Sequence, residues 1–102
     1  MWLDAGPEDG LAEDESRRVV LDGDPVLIVR TGGRLLAVEG RCSHEDKGLE
    51  GGCLAGEGEW ECPHHGARFD LATGRATGMP AVAPIRTYPV RVADGRVQVD
   101  VE

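Results

Sequence analysis

Aromatic side chains are scarce in this sequence: Trp2, Trp60, Phe69 and Tyr88 are the only four in 102 residues. A core cannot be built from stacked rings on that supply, so each of the four carries packing weight beyond its number. Long apolar runs are also missing. The longest, Val26-Leu27-Ile28-Val29, falls far short of the roughly 20 residues a membrane helix requires. The N-terminus has acids where a signal peptide needs a basic region and an apolar stretch. These absences give a soluble, cytoplasmic chain with no membrane partner. Cations are few as well: 11 against 19 acids, for a net charge of −8. Nucleic acid and anionic membrane would repel such a surface, whereas basic patches on other proteins would attract it transiently. Three cysteines do not make a disulfide framework. A chain of this length suits one domain with a modest core.

Glycine is what the sequence has in quantity, 15 residues with 6 prolines, and that composition predicts a turn-dense fold without long helices. Trp2-Leu3 reads as the end of a first strand. Asp4 to Ser16 reads as an exposed acidic loop, with a helical turn around Leu11 to Glu15. Arg17 to Leu21 is a short strand, and Asp22-Gly23-Asp24-Pro25 a turn. Pro25 to Arg30 and Arg34 to Glu39 form a hairpin across Thr31-Gly32-Gly33, where glycine supplies the positive φ the turn needs. From Cys42 to Gly58 periodicity disappears and the segment reads as loop. Glu59 to Glu61 and Ala67 to Leu71 are short strands. Met79 to Pro84 contains two prolines and cannot hold regular structure. Tyr88, Val90 and Val92, then Val97, Val99 and Val101, alternate on either side of an Asp94-Gly95 turn, predicting a terminal hairpin.

The chemistry sits in two short clips. Cys42-Ser43-His44 and Cys62-Pro63-His64-His65 each pair one thiol with one imidazole, with seventeen residues between them. Two Cys and two His could hold a tetrahedral zinc or an iron–sulfur cluster, and composition alone leaves both open. The order favours the cluster. Zinc fingers usually place both cysteines in one clip and both histidines in the other, whereas mixed clips suit two irons, one with both thiolates and one with both imidazoles.

Cys42-x-His44 followed by Cys62-Pro63-x-His65-Gly66, and continued by Arg68-Phe69-Asp70-Leu71-Ala72-Thr73-Gly74, resembles the cluster motif of Rieske-type 2Fe–2S proteins. The resemblance covers roughly residues 30 to 102. It implies an all-β fold: a Rieske-like antiparallel β-sandwich with a small loop-built cluster-binding subdomain. Residues 1–102 are then a single domain, with the cluster-binding part at about 40–84 and a basal β part at 1–39 and 85–102. The ligands implied are Cys42 and Cys62 on an inner iron, and His44 and His65 on an outer iron near the surface. The Met79 to Pro84 loop would cover the cluster's third side. Gly66 would let the backbone turn tightly and aim amide N–H groups at the bridging sulfurs. His64 reads as a surface neighbour, and Cys53 as a small buried hydrophobe.

Rieske proteins of the respiratory type carry an extra cysteine in each clip, where this chain has Lys47 and His64. They also carry hydroxyl side chains after the second clip, where Ala67 and Phe69 stand here and can donate nothing. Both departures resemble the low-potential ferredoxins that feed oxygenases. The function implied is a one-electron carrier, not itself an enzyme. It would work as a monomer, taking electrons from a flavin-dependent reductase and passing them to a terminal non-haem iron oxygenase. The alternatives are a small subunit of a nitrite-reductase-like complex and a zinc-stabilised interaction module.

Overall fold

The computed structural model describes residues 1–43 and 47–101. Within them the chain forms eleven strands and no helix, and every strand pairing is antiparallel. The strand that places the others is β3 (Asp24–Thr31), flanked by β2 (Ser16–Leu21) and β4 (Arg34–Glu39), with short β9 (Thr87–Tyr88) completing this sheet in the order β2-β3-β4-β9. A run of four apolar residues without a polar partner in the alternation is the pattern of a strand covered on both faces. Val26, Leu27, Ile28 and Val29 are all fully buried.

Because successive side chains point to opposite faces, β3 divides the interior in two. Val26 and Ile28 join one cluster with Ala37, Tyr88, Val97 and Val99. Leu27 and Val29 join another with Val38, Trp60, Phe69 and the thiols of Cys42 and Cys62. The first cluster is closed by a three-stranded sheet of β1 (Trp2–Pro7), β11 (Arg96–Asp100) and β10 (Val90–Ala93). The second is closed by a four-stranded sheet of β5 (Cys53–Ala55), β6 (Glu59–Glu61), β7 (Arg68–Asp70) and β8 (Ala76–Gly78). The all-β antiparallel class expected from the sequence is the class observed. The 42–58 segment is not loop throughout, however. Cys53–Ala55 pairs with Glu59–Glu61 across a glycine turn, too short a strand to leave a periodicity in the sequence.

Two further expectations need correction. The terminal run does not form one hairpin from Tyr88 onward. Tyr88 pairs with Ala37 in the middle sheet, Pro89 cannot continue that ladder, and Val90 pairs with Val99 in the outer sheet. The Asp94-Gly95 turn itself is as expected, with φ of 53° and 72°. At the other end, β1 extends through Pro7, and the acidic segment after it has no helical turn. Leu11 is buried, the Arg30 guanidinium donates to the Leu11 carbonyl at 2.7 Å, and it also pairs with Glu8 at 3.2 Å. The Glu13 carboxylate accepts from the amides of Gly32 and Gly33. The acids are thus fastened to the β3–β4 turn, whose glycine N–H groups lack ladder partners.

Since both faces of β3 are core, truncating either face should be equally damaging. Leu27→Ala and Ile28→Ala should each cost about 2–5 kcal/mol in urea unfolding, although one lies on each side of the sheet. A loss below that range at either position would mean that its face is loosely packed.

Candidate metal centre

The two clips are built alike. After β4 the chain forms an irregular hairpin in which Arg41 bridges Gly48 and the Cys42 N–H donates to the Lys47 carbonyl at 2.8 Å. Between β6 and β7, Glu61 pairs with Arg68 and the Cys62 N–H donates to the Ala67 carbonyl at 2.7 Å. In each case the cysteine occupies a closed rung, five residues before its acceptor, and in the second hairpin the four residues 63–66 lie beyond it. A side chain on a closed rung has its direction set by the strand. Both thiols accordingly turn inward, Cys42 at 4% and Cys62 at 2% exposure, while Pro63, His64, His65 and Gly66 of the second tip are exposed.

The proposed donors therefore sort by depth. Cys42 and Cys62 lie in one apolar cluster, floored by Leu49, Trp60 and Phe69, and neither is in a disulfide. The Trp60 indole N–H donates to the Leu49 carbonyl at 2.9 Å, tying the first hairpin to β6 underneath the thiols. His65 faces outward from the tip of the second. His44, with Glu45 and Asp46, lies outside the described residues. Among the described residues no three His, Cys, Asp or Glu side chains converge on a single ion site. A binuclear cluster asks for one donor pair on each iron, so such a triad is not what it requires.

Gly66 has the positive φ expected of it, 74°, but its N–H donates to the Cys62 carbonyl at 3.2 Å. That amide helps to close the loop on itself. Cys53 is not a buried hydrophobe: it sits exposed on the edge strand β5, opposite Glu61, while the alternating position Leu54 turns inward. Ala67 and Phe69 are fully buried in the cysteines' own cluster, so the two positions without a hydroxyl border the thiols. Lys47 and His64 are both exposed.

The Met79–Pro84 loop packs Ala81 into that cluster, and Ile85 follows it in. It is held from below by the Ile85 N–H donating to the Gly74 carbonyl at 2.8 Å, and from the side by the Ser43 hydroxyl donating to the Ala83 carbonyl. Met79 and Val82 remain 77% and 81% exposed. Nothing in the spacing of the sequence signalled the Ser43 bond or the Trp60 anchor, since both join residues distant in the chain.

Paired hairpins with buried thiols and an outward imidazole, set on three antiparallel sheets, define a class: small all-β metal-centre proteins of the Rieske type. The family profile of the Rieske 2Fe-2S domain matches residues 1–89, and the chain belongs to that family. Its cofactor is one 2Fe–2S cluster. The chain is 36% identical over 100 residues to the anthranilate 1,2-dioxygenase ferredoxin subunit of Burkholderia cepacia, covering 98% of this chain and 92% of that protein. It superposes on the ferredoxin of carbazole 1,9a-dioxygenase from Nocardioides aromaticivorans IC177 with a TM-score of 0.90 at 35% identity, covering 97% of this chain and 96% of the other. A second match is to a chain in a complex of reduced oxygenase and oxidised ferredoxin of carbazole 1,9a-dioxygenase, at a TM-score of 0.88 and 32% identity over 96% and 91% of the two chains.

The glycine that supports the proline loop gives the site a sharp test. Gly74 has φ of 78°, and a Cβ there would lie 2.0 Å from the Ile85 carbonyl oxygen. Gly74→Ala should cost on the order of 3 kcal/mol in thermal or urea unfolding. A neutral substitution would show that the Gly74–Ile85 contact is not rigid.

Proposed function

We propose that this chain is a Rieske-type ferredoxin that carries single electrons from a flavin-dependent reductase to a terminal non-haem iron oxygenase. In this reading Cys42 and Cys62 hold one iron of the cluster, and His44 and His65 the other. The observation that carries it is the depth ordering: two buried thiols in matched hairpins, with His65 at the surface on a projecting tip. A cluster with four protein ligands has no open position and supplies one-electron exchange. The chain's own residues do the rest. The apolar floor of Leu49, Trp60 and Phe69 keeps water from the thiolate side, where unpaired charge would be costly. The exposed Met79 and Val82 give an apolar rim against which a partner can exclude water. The net charge of −8 steers the chain toward basic surfaces.

The same reading takes residues 1–102 as one domain, its cluster-binding part at about 40–84 on a base of 1–39 and 85–102. It has the protein acting as a monomer in the cytoplasm. Like-charge repulsion at −8 supports the first of these, and no helix of the described chain is long and apolar enough to cross a membrane. Cofactor tuning follows from Ala67 and Phe69. Without hydroxyl donors beside the thiols, the reduced and more negative cluster gains little hydrogen bonding, so the potential should lie at the low end of the Rieske range, about −150 mV.

Protein made under iron-replete conditions should be brown and hold two irons and two sulfides per chain. His44→Ala and His65→Ala should abolish the cluster, whereas His64→Ala and Cys53→Ser should retain it. Zinc without sulfide would overturn the assignment in favour of an interaction module. A loaded protein that supports a nitrite-reductase-like enzyme but no oxygenase would move the function to that alternative. Ala67→Ser should raise the potential by several tens of millivolts, at about 59 mV per 1.4 kcal/mol for one electron. An unchanged potential would place the tuning elsewhere.

A further inference from the structure

Ser43 lies in sequence between buried Cys42 and His44, yet its side chain bonds outside the clip altogether: the hydroxyl donates to the Ala83 carbonyl, forty residues on. The acceptor belongs to a loop that has trouble fastening itself. Pro80 and Pro84 have no N–H to offer a ladder. Ala81 and Ile85 anchor it by burial, and the Ile85 N–H by its bond to Gly74. Between those anchors stands Val82, and just before them Met79, the two most exposed large apolar side chains of the described residues. The other exposed ones are elsewhere: Met1 at the terminus, Val20 on β2 and Val92 on β10. Two solvent-facing apolar side chains on one loop, which Ser43 ties to the first clip, have no packing role of their own.

We propose that Ser43 is a positioning residue for electron transfer: through the Ala83 carbonyl it fixes the Met79–Val82 rim relative to the first ligand hairpin, so that a terminal oxygenase seated on that rim meets the centre at one distance. The proposal rests on the carrier reading above. The bond joins a neutral hydroxyl to a backbone carbonyl and so leaves the charge at the centre unchanged. Its loss should alter where the rim stands and leave the centre's own electronics in place. Transfer between proteins depends steeply on how the reacting centres are placed, so a loose rim costs productive encounters. A small dissolved oxidant needs no rim and should not register the difference.

The test uses the iron-loaded protein as Ser43→Ala, Ser43→Thr, Val82→Ser and the double variant S43A/V82S. Amide hydrogen exchange at Ala81, Val82, Ala83 and Ile85 should quicken about three- to tenfold in Ser43→Ala, the loss of one ordinary hydrogen bond, and return in Ser43→Thr. Reduction potential, electron paramagnetic resonance spectrum and oxidation by ferricyanide should match the wild type. With a terminal Rieske oxygenase as acceptor, the KM for this protein should rise about three- to tenfold in Ser43→Ala and in Val82→Ser. The double variant should be no worse than the poorer single one, because both act through one loop. Wild-type exchange in Ser43→Ala would overturn the proposal, as would strictly additive effects. So would a shifted potential, an altered spectrum or a lost cluster in Ser43→Ala, since the bond would then organise the centre and not the rim. A wild-type protein without iron and sulfide would instead overturn the carrier reading itself.

Discussion

Burial of β3 on both faces is the constraint from which the rest of the structure follows. Val26 to Val29 have no solvent side, so a layer must cover each face. Each fully buried side chain of this kind contributes about 1.5–3 kcal/mol relative to exposure, and the two on each face make either face costly to uncover. The outer sheet of β1, β11 and β10 satisfies one face, and the β5–β8 sheet the other. The second layer consists of strands of three residues, too short to stand alone. It exists because Leu27, Val29 and Val38 offer it a floor. The metal centre is a consequence of that layer, since β6 and β7 carry the second cysteine into the core that β3 and β4 define.

Depth then separates the proposed donors Cys42 and Cys62 from His65. A thiol on the last closed rung of an antiparallel ladder has its direction fixed by the backbone, and both cysteines are in that position. The residues beyond the second rung, Pro63 to Gly66, are outside the ladder and reach the surface. Thiolates gain from a dry, apolar setting only when a metal compensates their charge, and imidazoles tolerate water. The repeated rung geometry therefore puts both thiols on an inner side sealed from solvent. The proline loop completes the enclosure without contributing a ladder bond, held by Ala81, by Gly74 and by the Ser43 hydroxyl.

Much of this could be read from the residues alone, for identifiable reasons. Mixed Cys/His clips, the Asp94-Gly95 turn and the β3–β4 hairpin are local patterns, and all three carry their meaning within a dozen residues. The failures share a different property. Cys53 looked like a buried hydrophobe because cysteine usually is one, but an edge strand that turns Leu54 inward must turn its neighbour out. The Tyr88–Val101 alternation looked continuous because a period of two does not record which sheet a strand joins. Pro89 alone marks the change. The acidic segment around Glu13 is exposed as it looked, but nothing in it announces the Gly32 and Gly33 amides that its carboxylate binds.

The sequence by itself determined the antiparallel all-β class and the family, and it is the source of the proposed donor set, because ligand chemistry and turn chemistry are properties of neighbouring residues. Only the tertiary structure decided that Cys42 and Cys62 share one buried cluster, and that His65 faces out. It also decided that Ser43 reaches Ala83, and that Met79 and Val82 stand clear of the core. Those outcomes depend on which face of β3 each later segment covers. That choice is made by packing between segments far apart in the chain, where no local pattern can record it.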